Sequence, residues 1–291
     1  MKITFWGVRG SIPTPGPDTV EFGGNTSCIE VRCGKHIIIF DGGTGLRLLG
    51  QRLAREMPVE AHMFFSHVHW DHIQGFPFFM PAFSPGNTFY VYGSATKRLS
   101  ISELMSGQMQ PEYFPARIDD MGANIHFRGF HDTIALGPLN ISVAELYHPG
   151  GCHGFAIHGE GCKVIYATDN ELNKGMEYLD PKRPERGYKD PALTLNPHIL
   201  PFYEGADLLI ADCQYTDEEY PQKVNWGHSS MAVVMEVAMR AQVKRLAIFH
   251  HDPLHSDRDV DHLVSRARAY LAARGSKIDC FGAREGMVVK V

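Results

Sequence analysis

The chain has 291 residues, 44% of them hydrophobic and 21% charged, the composition of a globular protein with room for one large domain or two small ones. Its formal net charge of −5, from 28 basic and 33 acidic side chains, argues against a general attraction for nucleic acid. No apolar run approaches the roughly 18 residues of a membrane helix, the start Met1–Trp6 lacks a signal-peptide core, and the six cysteines form no Cys-x-x-Cys pair. These features predict a soluble cytoplasmic protein with reduced core cysteines.

Lys2–Trp6 reads as a strand, and residues 7–27, rich in Gly and Pro, as a long ordered loop. Cys28–Arg32 and His36–Phe40 form a predicted hairpin that ends in Asp41-Gly42-Gly43-Thr44-Gly45. Asp41 is expected to buttress a metal ligand, as carboxylates behind ligating imidazoles do. Leu46–Met57 carries apolar residues at 46, 49 and 53 and predicts an amphipathic helix.

The apolar run Ala61–Phe65 predicts a buried strand, and Ser66-His67-Val68-His69-Trp70-Asp71-His72 follows it. His67 and His69 alternate with Val68, so an extended backbone points both the same way. Two imidazoles suit one ion. The Asp71 carboxylate and the His72 imidazole suit a second, zinc or else iron or manganese. Four phenylalanines then fall between Phe76 and Phe83, and at least one ring is expected to line the site.

Thr88–Gly93 predicts a strand, Ile101–Met109 a helix, and Asn124–Arg128, Thr133–Leu136 and Asn140–Leu146 three more strands. The last of these ends at His148. Phe155–His158 and Lys163–Ala167 form a hairpin ending at Asp169. Residues 173–203, rich in Pro and charge, read as an irregular excursion, a flap over the site or a contact with a second subunit in a homodimer. Ala206–Cys213 is a strand. Ser229 or Ser230 is expected to cap a helix running to about Ala241. Lys244–Phe249 is a strand with His250 at its end, Asp257–Arg274 a helix with an apolar stripe, and Met287–Val291 the closing strand. No linker interrupts the series, so residues 1–291 are expected to form one domain.

One pattern thus occurs four times: a hydrophobic strand ends and a His or Asp follows. His67, His69, Asp71, His72, His148, Asp169 and His250 share this address and are enough for two ions, which can share a carboxylate at a separation of roughly 3.5–4 Å.

Order and spacing together resemble the metallo-β-lactamase superfamily along nearly the whole chain. The resemblance implies an α/β fold, a four-layer αββα sandwich of two mixed β-sheets with helices outside. It implies one ion held by His67, His69 and His148, a second by Asp71, His72 and His250, and Asp169 between them. Three features resemble the phosphodiesterase branch that includes ribonuclease Z: the Asp71-His72 pair, aspartate rather than cysteine at 169, and Gly227-His228-Ser229-Ser230 before a helix. In that branch the histidine at the position of His228 contacts substrate phosphate, so Asp71 and His228 are the expected catalytic residues. Asp169 follows His148 by only 21 positions, too few for the tRNA-gripping arm of ribonuclease Z. The implied partner is a small phosphodiester, with no long RNA, tRNA or membrane.

The expected chemistry is attack on phosphorus by a hydroxide bridging two Zn²⁺, or two Mn²⁺ or Fe²⁺. Two other functions fit the same residues: hydrolysis of a thioester, lactone or amide, and a metal-holding ligand sensor with little turnover. A basic wall would favour the phosphodiester, and Arg9, Arg47 and Lys174 are its candidates.

Overall fold

The computed structural model describes residues 1–94, 99–174 and 199–291. Its first half runs β1 (Lys2–Gly7), β2 (Cys28–Cys33), β3 (His36–Phe40), α1 (Gly45–Leu53), β4 (Glu60–Phe64), α2 (Trp70–Ile73), β5 (Thr88–Tyr92), α3 (Ile101–Gly107) and β6 (Asn124–Arg128). The second half runs β7 (Thr133–Leu136), β8 (Leu139–Leu146), β9 (Cys152–Gly159), β10 (Cys162–Ala167), α4 (Ile199–Tyr203), β11 (Leu208–Asp212), α5 (Met231–Arg240), β12 (Arg245–Phe249), α6 (Asp257–Ala273), β13 (Asp279–Gly282) and β14 (Val288–Lys290).

These strands make two seven-stranded sheets, ordered β14-β1-β2-β3-β4-β5-β6 and β13-β12-β11-β10-β9-β8-β7. Each is mixed. β3 to β6 are parallel and β14 to β3 antiparallel. β10 to β13 are parallel and β7 to β10 antiparallel. Three apolar layers hold the sandwich. Phe5, Phe40 and Phe64 of one sheet meet Phe155, Tyr166 and Phe249 of the other. Leu46, Leu49, Leu53 and Met105 seat α1 and α3 outside the first sheet. Ile199, Met235, Val260 and Leu263 seat α4, α5 and α6 outside the second. This is the expected αββα arrangement. β11 is buried at all five positions, which explains its unbroken apolar run.

Local departures have local reasons. α1 stops at Leu53, where its apolar stripe ends, short of the expected Met57. β9 starts at Cys152 instead of Phe155, because Leu146 pairs with Cys152 and the ladder with β8 continues. β13 has four residues, too few for a periodic signal, and exists through pairing with β12. All six cysteines are free, and all but Cys162 are buried. Most of the 173–203 excursion lies outside the described residues; Ile199–Tyr203 is helical. Among the described residues no helix is long and apolar enough to cross a membrane.

Ser230 stands at the N-cap of α5 as expected, but its side chain does not cap the helix. Its hydroxyl donates to Asp217 at 2.7 Å, and the Ala232 N–H donates to both oxygens of that carboxylate at 3.2 Å. Asp217 therefore caps α5 from outside its own segment. Asp217→Ala is expected to lower stability by about 1–3 kcal/mol by orphaning two buried donors. Burial pushes this carboxyl up to about 6, so the fold favours its protonated form and wild-type stability falls as pH rises through that window. The loss should accordingly be larger at pH 4.5 than at pH 7; denaturant midpoints at the two values check it.

Candidate metal centre

β3, β4, β8, β10, β11 and β12 all end at one edge of the sandwich, where Phe40, Phe64, Tyr166 and Phe249 of the layer between the sheets lie at or next to the strand ends. There the Phe40 ring stacks on Tyr166 at 5.2 Å across the two sheets. Above these rings, the residues that follow these strands converge. One group brings together His67, His69 and His148, and a second Asp71, His72, Asp169 and His250, with ligand-capable atoms in each group within 4.8 Å of one another. The second group is fully buried, whereas His69 of the first is exposed. The centre therefore opens to solvent on the His69 side, flanked by exposed Trp70, Tyr147 and Trp226.

Asp169 stands between the groups. Its Oδ1 lies 3.3 Å from His72 Nε2 and 3.1 Å from His250 Nε2. Its Oδ2 lies 3.5 Å from His67 Nε2 and 3.6 Å from His148 Nε2. His148 Nε2 also faces His69 Nδ1 at 3.0 Å, and Asp71 Oδ2 lies 3.2 Å from both His72 Nε2 and His250 Nε2.

Behind these atoms a polar frame holds the rings. Asp41 Oδ2 accepts from His72 Nδ1 at 2.8 Å, from the Ser66 hydroxyl at 2.8 Å and from the Tyr166 hydroxyl at 2.6 Å. His148 Nδ1 donates to the Gly227 carbonyl at 3.0 Å, and Gln214 Oε1 faces His250 Nδ1 at 3.3 Å. Each of these contacts uses Nδ1 and leaves Nε2 for the centre. Gly227, at φ 90°, lies so close that a Cβ would sit 2.1 Å from the His148 ring. The opening loop completes the frame. The Ser11 N–H donates to Asp71 at 2.7 Å, and a Cβ on Gly10 would meet the His250 ring at 2.5 Å. Ser11, Asp41, Asp169 and His250 all have positive φ, a strained setting tolerated where surrounding contacts over-determine the backbone.

The electrostatics call for a cation. Burial opposes ionisation of Asp71 and Asp169, yet the imidazoles around them hold both well below the usual carboxylate range. His67 is pushed well below the usual imidazole range by burial and then by His72. Its Nε2 is buried and has no hydrogen-bond partner. An orphaned imidazole nitrogen beside ionised carboxylates fits a divalent ion bound by nitrogen and oxygen.

His228 is also here. Its Nδ1 donates to Asp212 Oδ2 at 2.7 Å, and its ring stacks on His250 at 5.0 Å. Burial disfavours charge on this ring, but Asp212 outweighs it and raises the imidazole to about 9.

Other candidates go elsewhere. Arg9 is fully buried and donates to the carbonyls of Gly23, Asp252 and His255, so it forms no wall of the site. Nε and Nη1 take these three carbonyls, and Nη2 lies 3.7 Å from Asp257 Oδ1. Arg47 and Phe78 line a groove of about 640 Å³ with Pro13 and Gln74 that includes none of the metal-capable residues. Phe76 and Phe79 are core residues, and no ring of this run reaches the centre. Lys174 does stand at the rim, 5.5 Å from the Tyr147 ring centroid. His251 turns away, with Nε2 donating to the Ala283 carbonyl at 2.9 Å. His153 packs on Phe130, and Asp252 receives the Gln214 amide at 3.4 Å. Asp212 and Gln214 were not expected from sequence as site residues. Their only local signal is position, immediately at the end of a buried strand.

A two-sheet sandwich with an imidazole–carboxylate cluster at its strand ends defines a metal-dependent hydrolase with a divalent-metal site. The chain belongs to the metallo-β-lactamase superfamily: residues 36–251 match the family described as beta-lactamase superfamily domain. Among curated relatives, ribonuclease Z of Haloarcula marismortui is 22% identical over 298 residues, covering 92% of this chain and 91% of that protein. Among solved structures, a diphosphatase of the PhnP family superimposes with TM-score 0.67 at 14% identity, covering 100% of this chain and 97% of the other. The short form of human tRNase Z superimposes with TM-score 0.64 at 16% identity, covering 100% and 99%. At these identities the structural likeness is one of fold, and the named relatives place the chain in the ribonuclease Z-like branch.

Proposed function

We propose that the protein is a dinuclear phosphodiesterase for small or cyclic phosphodiesters. In this reading His67, His69 and His148 would hold one ion and Asp71, His72 and His250 the other, Asp169 would serve both, and zinc is the expected metal. The observation that carries it is the Asp169 carboxylate, whose two oxygens face different imidazole groups, Oδ1 toward His72 and His250 and Oδ2 toward His67 and His148. When bound, such ions acidify water and take up charge on phosphoryl oxygens.

The chain's own groups do the rest. Asp71 is anchored by the Ser11 N–H and keeps His72 and His250 in register. His228, held by Asp212, offers its Nε2 proton to the leaving oxygen. Lys174 at the rim favours an anionic substrate. The β9–β10 hairpin fills the interval from His148 to Asp169, in keeping with a substrate smaller than tRNA. Six free cysteines suit a reducing compartment such as the cytoplasm.

Two expected results test this. Elemental analysis of the reconstituted protein should find close to two transition-metal ions per chain, and one ion or fewer would remove the bridging role of Asp169. A screen should find turnover of bis(p-nitrophenyl) phosphate and of cyclic nucleotides, with little on thioesters, lactones or precursor tRNA. Efficient cutting of precursor tRNA would overturn the small-substrate reading.

A further inference from the structure

The inner face of the first sheet changes character away from the metal centre. Phe64 and Tyr92 close the apolar core there. Beyond them His62, Tyr90 and His126 stand in register on β4, β5 and β6. Their rings stack in sequence at 4.8 and 5.2 Å, and the Arg128 guanidinium lies over Tyr90, 4.8 Å from its centroid. β6 and β7 are the edge strands of their sheets, and the sandwich is open between them. The result is a cleft of about 780 Å³, walled by His36, His62, Tyr90 and Arg128 on one side and by His131 and Thr133 at the start of the second sheet. Polar rings in the mouth of a sandwich need a reason, because packed sheets ordinarily bury apolar side chains there.

The cleft is rich in hydrogen-bond donors. A guanidinium and three imidazoles face one carboxylate, Glu60. Among the described residues Arg128 has no carboxylate partner; it meets the Tyr90 face and the Tyr92 hydroxyl. His62 meets the Tyr92 hydroxyl through Nδ1 at 3.4 Å, so its Nε2 remains free for a ligand. Burial, then His36 and Arg128, push this imidazole down to about 4, so it is neutral and one ring nitrogen carries a proton to donate. The same imidazoles do not approach closely enough to form a metal-holding group, and Arg128 would repel a cation. A tetrahedral oxyanion satisfies both facts, since a guanidinium presents a fork of donors matched to it.

We propose that this cleft is a second ligand site, for a small molecule bearing a phosphate or similar oxyanion, gripped by Arg128 with His36, His62 and His131. It is separate from the metal centre: His67 is five residue steps along extended chain from His62, about 17 Å. It does not depend on which bond the metal centre cleaves.

The test is an imidazole NMR titration of the metal-loaded protein with sodium sulfate, against sodium chloride at equal ionic strength. Saturable shifts are expected for His36, His62 and His131 with sulfate alone. Arg128→Gln should weaken the response about tenfold or more, with hydrolysis at the metal centre unchanged. Thr133→Glu, which places a carboxylate in the cleft without touching Arg128, should abolish it and serves if Arg128→Gln does not fold. Equal shifts with chloride, no saturation, or an undiminished response in a folded variant would overturn the proposal.

Discussion

His250→Ala is expected to lose one of two bound ions and fall to background hydrolysis, while His251→Ala keeps both. The two residues are adjacent, yet the backbone turns at His250, with φ 60°, and sends the side chains to different places. His250 Nε2 points to Asp71 and Asp169 at 3.2 and 3.1 Å. His251 is buried against Phe22, with ring centroids 5.3 Å apart, and burial pushes its imidazole down to about 3, so it stays neutral. Its removal leaves the Ala283 carbonyl without its donor, a stability cost of about 1–3 kcal/mol. The activity loss in His250→Ala should exceed the roughly 10–100-fold typical of removing a group that only orients a ligand. Metal content and hydrolysis of a chromogenic diester, measured on both variants, check the pair. The reverse outcome would shift the ligand assignment by one residue.

His228→Ala should keep both ions and lose kcat by roughly 10²–10⁴-fold on an alkoxide leaving group, the range of general acid catalysis. With p-nitrophenolate, which needs little protonation to leave, the deficit should be much smaller. A uniform deficit would instead make His228 a phosphate-binding group, and no deficit would make it structural. Asp212 distinguishes positioning from chemistry. It holds His228 Nδ1 at 2.7 Å and accepts the Asn170 and Gln214 backbone N–H groups at 3.3 and 3.1 Å. Asp212→Asn should show the same leaving-group dependence at smaller amplitude, roughly 10–100-fold. A deficit in Asp212→Asn that ignores the leaving group would count against the dyad.

Much of the architecture was legible because its signals are local. The buried parallel strands β3, β11 and β12 announce themselves as apolar runs, and α6 by its stripe of Val260, Leu263, Val264, Ala267 and Tyr270, although the fold buries Leu271 in place of Tyr270. The least legible elements depend on partners distant in sequence. β13 is a strand only because Leu246 pairs with Cys280. The cap of α5 comes from Asp217, 13 residues before Ser230. Arg9 reads as a candidate for a basic pocket wall, and only the tertiary structure encloses it with the carbonyls of Gly23, Asp252 and His255.

The sequence by itself determined the chemistry available at the strand ends: imidazoles and carboxylates in alternation or at a turn, each directly after a buried run. Strand periodicity and burial act over a few residues, so they can be read from neighbours. Which of those groups meet was decided by tertiary structure. The packing of two sheets through Phe40, Phe64, Phe155, Tyr166 and Phe249 sets the strand ends at one edge. It thereby brings residues 67, 148, 169 and 250 within a few ångströms of one another. The same packing pairs Asp41 with His72 and Asp212 with His228, contacts that no spacing along the chain encodes. A hydrogen bond across 31 residues depends on where both backbones stop, and that position is a property of the closed sandwich.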